Sequence, residues 1–338
     1  MVLRSLVVSM VLSALGLAWV VFRVGRVQDL SIIRDLPWSY GLAALGGLLG
    51  AFTMAALRLI YMCRRLGFRL PLFHALRAHI LGMFSATVTP GGSGSTPALA
   101  LALQGQRLPP GVAWAVGVAV FGADALFHTW GLPIALGLLY ALGLYPHTPG
   151  WLALGALTVV LSAAVAYLVQ FRLPWLEPLA RWILRGPLIR WRRRGLRFVE
   201  TTLESNRLFR NAPLGFHLTL QGVTALSWIS FFSILFFLAR GLGVVVSLPA
   251  IEAAQMVVVV MSTFVPTPGG SGFFELGISY VLIARGGGSA VPGVVLLWRL
   301  VTFYSIFLLG PLLGGYLVTR RVQEPDGGTG TPPPNAGA

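Results

Sequence analysis

Long apolar runs separated by short polar segments dominate the chain. Runs long enough for a membrane-spanning helix cover residues 6–22, 38–57, 151–171, 214–238 and 290–318, and residues 111–142 suit one tilted helix or two short ones. Charged residues are scarce inside these runs and gather between them, as in the basic loop predicted at Arg58, Arg64, Arg65 and Arg69. The pattern predicts an all-α polytopic membrane protein with about six to eight transmembrane helices, because a spanning helix needs roughly 20 apolar residues.

Two further apolar runs are interrupted by the same phrase, Thr-Pro-Gly-Gly-Ser-Gly. The first break comprises residues 89–94 and the second break residues 267–272. Proline lacks the amide donor and glycine disfavours helix, so each phrase divides its run into two half-helices. Unpaired backbone survives in lipid only where it faces protein or a water-filled cavity. We therefore predict two broken helices, either re-entrant or crossing, within residues 74–103 and 251–284.

The two breaks lie in two similar halves of the chain. A constant offset places Pro90 over Pro268 and Met83 over Met261. We expect repeat one at residues 38–142 and repeat two at residues 214–319, with opposite orientations because the basic loops must share one side of the membrane. Transporters build midplane binding sites from such inverted repeats.

Composition and charge agree with a membrane protein. Apolar residues make up 56% of the chain and charged residues 10%, and all 25 basic residues are arginine. Residues 172–211 form a predicted basic amphipathic linker on an anionic leaflet, whereas the Gly- and Pro-rich tail, residues 321–338, reads as disordered. We expect a prokaryotic cytoplasmic membrane, both termini on the cytoplasmic side, and no nucleic-acid partner despite the formal charge of +15.

The breaks are candidate substrate-binding sites. A half-helix N-terminus offers amide groups and a positive dipole end to phosphate or carboxylate, and glycines let the backbone approach a ligand. The alternative is that both phrases merely pack helices closely. The candidates are Thr89, Pro90, Gly91, Gly92, Ser93, Gly94, Thr267, Pro268, Gly269, Gly270, Ser271 and Gly272.

Three charged residues inside apolar runs complete the candidate site. Glu275 either caps its half-helix or binds a cationic group or proton, since intramembrane charges are functional hypotheses by default. Asp124 and Arg299 occupy nearly matching positions in the two repeats, so we expect them to pair, as a structural ion pair or as a substrate clamp. His79, His128 and His217 lack metal-ligand spacing and read as polar core contacts. Cys63 is alone, which excludes an intrachain disulfide.

These motifs resemble a known family. Residues 85–97 followed by Gln104-Gly105, and residues 266–272 with Glu275, look like the two motifs of the lysylphosphatidylglycerol synthase transmembrane-region family. The resemblance covers roughly residues 1–320 and implies a flippase-like integral membrane protein. Because no soluble aminoacyl-transferase domain follows Arg321, we do not expect aminoacylating activity.

The sequence thus favours a flippase-like protein that moves an anionic phospholipid or a polyprenyl-linked substrate, with the head group at the two breaks. We expect no enzymatic activity, cofactor or metal, and a homo-oligomer is compatible with the pattern. One alternative is a membrane-embedded enzyme acting on a lipid phosphate or lipid-linked sugar, with Glu275 or Asp124 as base. A non-catalytic partner subunit docking through the arginine-rich linker is another.

Overall fold

The apolar runs form helices close to the predicted bounds. The computed structural model describes residues 27–89, 91–106, 108–143, 192–265 and 267–313, together with most of 11–22 and 156–164. In chain order the elements are α1 (Ser13–Phe22), a 3-10 helix (Val27–Asp35), α2 (Trp38–Arg65), α3 (Leu72–Thr87), α4 (Ser95–Gln104), α5 (Pro110–Ala141), α6 (Arg192–Arg210), α7 (Leu214–Gly241), α8 (Leu248–Ser262), α9 (Phe273–Ile283) and α10 (Gly288–Leu313). These described residues contain no β-strand, which confirms the all-α prediction.

Four of the described helices, α2, α5, α7 and α10, are long and apolar enough to cross a membrane. A helix of 28 residues, such as α2, extends about 42 Å, which exceeds the roughly 30 Å hydrocarbon core. Helices α1, α8 and α9 are shorter and apolar. The multi-pass membrane prediction is therefore confirmed. The predicted tail and residues 172–191 of the linker lie outside the described residues, as does most of the run 151–171.

Both broken segments adopt the predicted half-helix arrangement. The first consists of α3 and α4 and the second of α8 and α9, and each pair flanks one glycine-rich break. Residues 111–142 form the single helix α5 rather than two short ones. The order long helix, half-helix, break, half-helix, long helix thus occurs twice. The opposite orientation of the two repeats in the membrane stays a prediction, because element order does not fix it.

Small residues let α2 and α7 approach each other closely. A Cβ atom on Gly47 would lie 2.9 Å from the Ser230 carbonyl oxygen and 2.9 Å from the Ser233 hydroxyl. The Ser227 hydroxyl donates to the Ala51 carbonyl across the same interface, at 3.0 Å. Such small-residue packing is the common way in which membrane helices associate. These two helices, one from each repeat, hold the two halves together.

Helix α2 is longer than predicted, and its extra length changes the position of one arginine. We placed Arg58 in a basic loop beginning after residue 57, but the helix continues to Arg65. Arg58 is only 4% exposed, whereas Arg64 and Arg65 are exposed at the helix end. The loop assignment of Arg58 is wrong, because the apolar run resumes at residues 59–63 and carries the charge inward.

The described part of the basic linker, α6, is amphipathic. It packs on α5 through the Phe198 ring, whose centroid lies 6.1 Å from that of Trp114, and its buried Phe209 ring stacks on Phe216 of α7. Arg197 and Arg207 are exposed on the other face. The distribution matches the predicted helix with one apolar and one basic face, and its place on an anionic leaflet remains a prediction.

Candidate functional site

The two breaks have the same unusual backbone conformation. The φ angles of Gly91 and Gly92 are +57° and +69°, and those of Gly269 and Gly270 are +60° and +63°. This left-handed region costs any residue with a Cβ atom roughly 1–2 kcal/mol, so the paired glycines are what make the turn accessible. The repeated phrase therefore encodes a repeated local structure.

Each break packs against the first half-helix of the other repeat. A Cβ atom on Gly91 would lie 3.7 Å from the carbonyl oxygen of Thr263, just after α8. A Cβ atom on Gly269 would lie 3.0 Å from the carbonyl oxygen of Thr87, at the end of α3. Because the two contacts are reciprocal, the breaks face each other at the interface between the repeats.

A cavity of about 360 Å³ opens between the breaks. Residues of both breaks line it, and so do the ends of α3, α4, α8 and α9 that adjoin the breaks. Side chains from α2, α5, α7 and α10 complete the lining. Small-molecule sites begin at roughly 300 Å³, so the space suits a lipid head group rather than a whole lipid. Its polar or glycine lining residues are Arg58, His79, Gly82, Thr87, Gly91, Gly92, Ser95, Asp124, His128, Ser227, Ser262, Thr263, Gly269, Gly270, Arg299 and Thr302.

Arg299 on α10 pairs with Glu275 on α9, not with Asp124. The Arg299 Nη2 atom lies 2.6 Å from Glu275 Oε2, and both residues are buried. The predicted Asp124–Arg299 pair is wrong, because each residue finds a partner within its own half of the fold. Glu275 Oε2 also accepts a 2.8 Å hydrogen bond from the Gly272 amide, so it caps the N-terminus of α9.

The other oxygen of Glu275 is held by α1. The Ser13 hydroxyl donates to Glu275 Oε1 at 2.7 Å and accepts a 3.2 Å hydrogen bond from the Tyr304 hydroxyl. A Cβ atom on Gly16 would lie 3.1 Å from the Gly272 Cα atom, so α1 covers the second break closely. Glu275 is consequently 0% exposed and lies behind Arg299, away from the cavity wall.

Arg299 is surrounded by aromatic rings. Its guanidinium carbon lies 4.8 Å from the centroid of Phe303 and 5.2 Å from those of Phe274 and Trp298, distances typical of cation–π contacts. The Arg299 Nε and Trp298 Nε1 atoms are buried with no hydrogen-bond partner in the described part of the chain. A π-helical turn, Leu300–Tyr304, follows directly, and such turns are frequent at functional sites.

A second ion pair also lines the cavity. Arg58 on α2 contacts both oxygens of Asp124 on α5, with nitrogen–oxygen distances of 2.5 and 3.3 Å. Trp228 Nε1 donates to Asp124 Oδ1 at 3.0 Å, and Arg58 also donates to the Thr224 hydroxyl. The Asp124 side chain keeps 25% of its surface exposed, unlike that of Glu275. Asp124 is therefore a carboxylate that a bound molecule can reach.

Two histidines line the cavity beside this pair. The His79 ring lies edge-on to Phe52, with centroids 5.6 Å apart. The His128 ring lies 4.9 Å from that of Trp228, and its Nε2 atom is buried without a hydrogen-bond partner among the described residues. We predicted polar core contacts for both, but their positions place them on the wall of the candidate site.

The predicted site residues divide into two groups. Those that line the cavity are Gly91, Gly92, Gly269, Gly270, Asp124 and Arg299. Those that do not line it are Thr89, Ser93, Gly94, Thr267, Pro268, Ser271, Gly272 and Glu275, whereas Pro90 is outside the described residues. Among the second group, the Thr89 hydroxyl accepts the Gly94 amide at 2.9 Å. Thr89 and Glu275 in this group therefore stabilise the turns of the two breaks.

Sequence reasoning missed Arg58 and undervalued the two histidines. A usable signal was present, because Arg58 precedes five apolar residues before the next arginines, and an intramembrane charge needs a partner. His128 follows Asp124 by four residues, which puts both side chains on one helix face. No group of three or more His, Cys, Asp or Glu residues able to hold a metal ion occurs in the described ranges.

The fold and cavity define a class, namely a polytopic helical membrane protein with a head-group-sized chamber between two broken helices. The chain belongs to the family described as lysylphosphatidylglycerol synthase TM region, whose pattern matches residues 5–310. It is also similar to a UPF0104 membrane protein of Archaeoglobus fulgidus, with 24% identity over 300 residues. That alignment covers 86% of this chain and 90% of the relative.

Proposed function

We propose that this protein moves a lipid with an anionic head group between the two leaflets of its membrane, with the head group held in the cavity between the breaks. The observation that carries the proposal is that both breaks and Arg299 line one and the same cavity. Family membership agrees with a lipid-related membrane function.

A phosphate suits the chemistry of this wall. The Nη2 atom of Arg299 engages Glu275, while its Nε atom has no partner in the described part of the chain. The planar guanidinium can bind a phosphate through its remaining donors while keeping its carboxylate partner. Because Glu275 is enclosed, an arriving head group meets the cation first.

The breaks supply the second requirement, a route for a polar group through the apolar layer. Glycines 91 and 92 and glycines 269 and 270 present backbone without side chains to the cavity. Paired broken helices of this kind are typical of alternating-access transporters. We propose that the substrate is an anionic phospholipid or a polyprenyl-linked phosphate, that the lipid leaves chemically unchanged, and that both termini lie on the cytoplasmic side.

The test is lipid movement in proteoliposomes. Acyl-labelled phosphatidylglycerol is placed in one leaflet and its arrival in the other is followed by dithionite quenching, while mass spectrometry checks that the lipid is unaltered. The wild-type protein should move the lipid. Gly270→Leu should block movement, because a Cβ atom on Gly270 already meets the Phe274 ring at 2.5 Å.

Arg299→Gln should slow movement about tenfold or more, since a hydrogen bond to a charged group contributes roughly 1.5–3 kcal/mol. Two matched controls should move lipid like the wild type. They are Arg240→Gln at the exposed end of α7 and Gly222→Leu on its exposed face. A wild-type protein inert toward phosphatidylglycerol and polyprenyl phosphate, or variants that match their controls, would overturn the proposal.

A further inference from the structure

His128 is a half-buried titratable group on the cavity wall, and the proposed function does not yet use it. It lies on α5 one turn after Asp124, beside the rings of Phe127 and Trp228, whose centroids are 5.6 and 4.9 Å away. Its Nε2 atom has no hydrogen-bond partner in the part of the chain that the structure describes. A nitrogen in this position can accept a proton without breaking a bond seen in the structure.

Charge balance explains why a proton is needed. Arg58 and Arg299 are matched by Asp124 and Glu275, so these four groups sum to zero. A head group with one negative charge makes the occupied cavity negative. An uncompensated charge inside a membrane protein is expensive, and the least costly remedy is uptake of one proton by a group on the wall.

The described wall leaves few groups able to take that proton. Arginine is always protonated, and both oxygens of Asp124 contact Arg58. Glu275 is enclosed and lies off the wall. Histidine is the side chain that most readily gains a proton near neutral pH, and of the two on the wall His128 shares a helix face with Asp124, whose carboxylate would stabilise an imidazolium.

We propose that His128 takes up one proton when an anionic head group enters the cavity, so that lipid and proton are bound together. The inference rests on the proposed function. The imidazole nitrogen lone pair accepts the proton from water, and the proton returns to water when the head group leaves. The groups that line the cavity around this site from the surrounding helices are Arg58 on α2, His79 on α3, Asp124 on α5, Trp228 on α7 and Arg299 on α10.

Thermodynamic linkage between proton binding and anion binding makes the proposal quantitative. If the occupied state binds one more proton than the empty state, the Kd for the anion rises about tenfold for each pH unit in the window where His128 changes charge. Binding should therefore be strong at low pH and weaken as the pH rises. A zwitterionic lipid brings no net charge, so its binding should neither take up a proton nor depend on pH.

The experiment titrates purified full-length protein in weakly buffered detergent with short-chain phosphatidylglycerol. This phosphodiester does not itself titrate near neutral pH. A pH indicator measures proton uptake, and calorimetry measures Kd between pH 5.5 and pH 8. We expect uptake approaching one proton per bound lipid. Phosphatidylcholine is the lipid control, and it should give no uptake.

Four variants assign the proton. His128→Gln and His128→Asn should abolish the uptake and flatten the pH dependence of Kd, whereas His217→Gln, on α7 away from the cavity, should retain both. Uptake that persists without His128, or that is lost in His79→Gln instead, overturns the assignment.

Wild-type binding without proton uptake overturns the coupling itself, and this measurement needs no variant to fold. That result leaves the proposed function standing, because lipid still binds. Failure of the proposed function looks different, since the protein would then neither bind phosphatidylglycerol nor move it in proteoliposomes.

Discussion

The first and second breaks share a backbone but differ in their surroundings. Paired left-handed glycines form both turns, with φ angles between +57° and +69°. In the first break Gly91 and Ser93 are exposed, whereas in the second Ser271 is only 2% exposed. The first is therefore accessible from outside the protein, and the second is enclosed by α1, α9 and α10.

The capping groups differ in the same way. A neutral hydroxyl, that of Thr89, accepts the Gly94 amide in the first break. A carboxylate, that of Glu275, accepts the Gly272 amide in the second and also binds Arg299. The residue three positions after the phrase is Pro97 in one copy and Glu275 in the other. The repeated phrase sets the turn, and the flanking residues set its electrostatics.

The largest loss of stability should come from removing the charge of Glu275, the residue that caps the second break. Glu275→Gln leaves Arg299 buried without a counter-ion, which costs roughly 3–5 kcal/mol when a buried pair is broken. We expect a loss of that size in the free energy of unfolding, measured by titration with a denaturing detergent. The double variant Glu275→Leu/Arg299→Met should recover most of it, because replacing both partners removes the unpaired charge. A double variant as unstable as the single one would contradict this account.

The matched glycines Gly270 and Gly92 should separate turn strain from crowding. Both have positive φ, so an alanine costs each roughly 1–2 kcal/mol. In Gly270→Ala the new methyl group also meets the Phe274 ring at 2.5 Å, which adds about 1–3 kcal/mol of overpacking, whereas in Gly92→Ala its nearest neighbour is the Ala86 Cβ atom at 3.7 Å. The same unfolding titration should show that Gly270→Ala is less stable than Gly92→Ala. Equal losses would mean that the second break is not the more crowded one.

The contact between α1 and the second break should contribute less. Ser13→Ala removes a 2.7 Å hydrogen bond to the ionised Glu275, and bonds to charged groups contribute roughly 1.5–3 kcal/mol. We expect a loss near the lower end, about 1.5 kcal/mol, in the unfolding titration. Ser305→Ala is the control, since its hydroxyl donates to the Val301 carbonyl of its own helix, and it should change stability little. If Ser13→Ala behaved like this control, α1 would not hold the cap.

The smallest effect is expected for the neutral cap of the first break. Thr89→Val keeps the shape of the side chain but removes the acceptor of the Gly94 amide, so about 1 kcal/mol should be lost. Hydrogen exchange at the Gly94 amide should quicken, while Thr89→Ser should preserve its protection. Unchanged exchange in Thr89→Val would show that water already satisfies this amide.

The parts of the fold that local chemistry controls were predictable from the sequence. Proline and glycine disfavour helix wherever they occur, so the ends of α3 and the start of α4 fall within two residues of the predicted bounds. The left-handed glycine pairs follow from the same property. The inside position of Arg58 and its pairing with Asp124 did not follow, because 66 residues separate the partners and helix packing decides the contact.

Ion-pair partners were the weakest part of the prediction for a related reason. Matching positions in two repeats suggested that Asp124 and Arg299 pair, but equivalence under a repeat says nothing about distance. Glu275 lies 24 residues before Arg299 and reaches it because α9 and α10 are adjacent helices. Charge inside apolar runs therefore identified Asp124, Glu275 and Arg299 but not Arg58, and only the packing shows which residues pair.

The environment of Cys63 has a practical consequence for labelling experiments. Its thiol is 0% exposed within α2, and the sequence contains no other cysteine. Membrane-impermeant maleimides should leave the native protein unmodified, so a cysteine introduced elsewhere becomes the sole reporter. Single substitutions at exposed Arg65 and Arg240, labelled in intact cells and then in lysed cells, would assign each end of the helices to one side of the membrane. Topology mapping can therefore start from the wild-type protein, because its own cysteine does not need to be removed first.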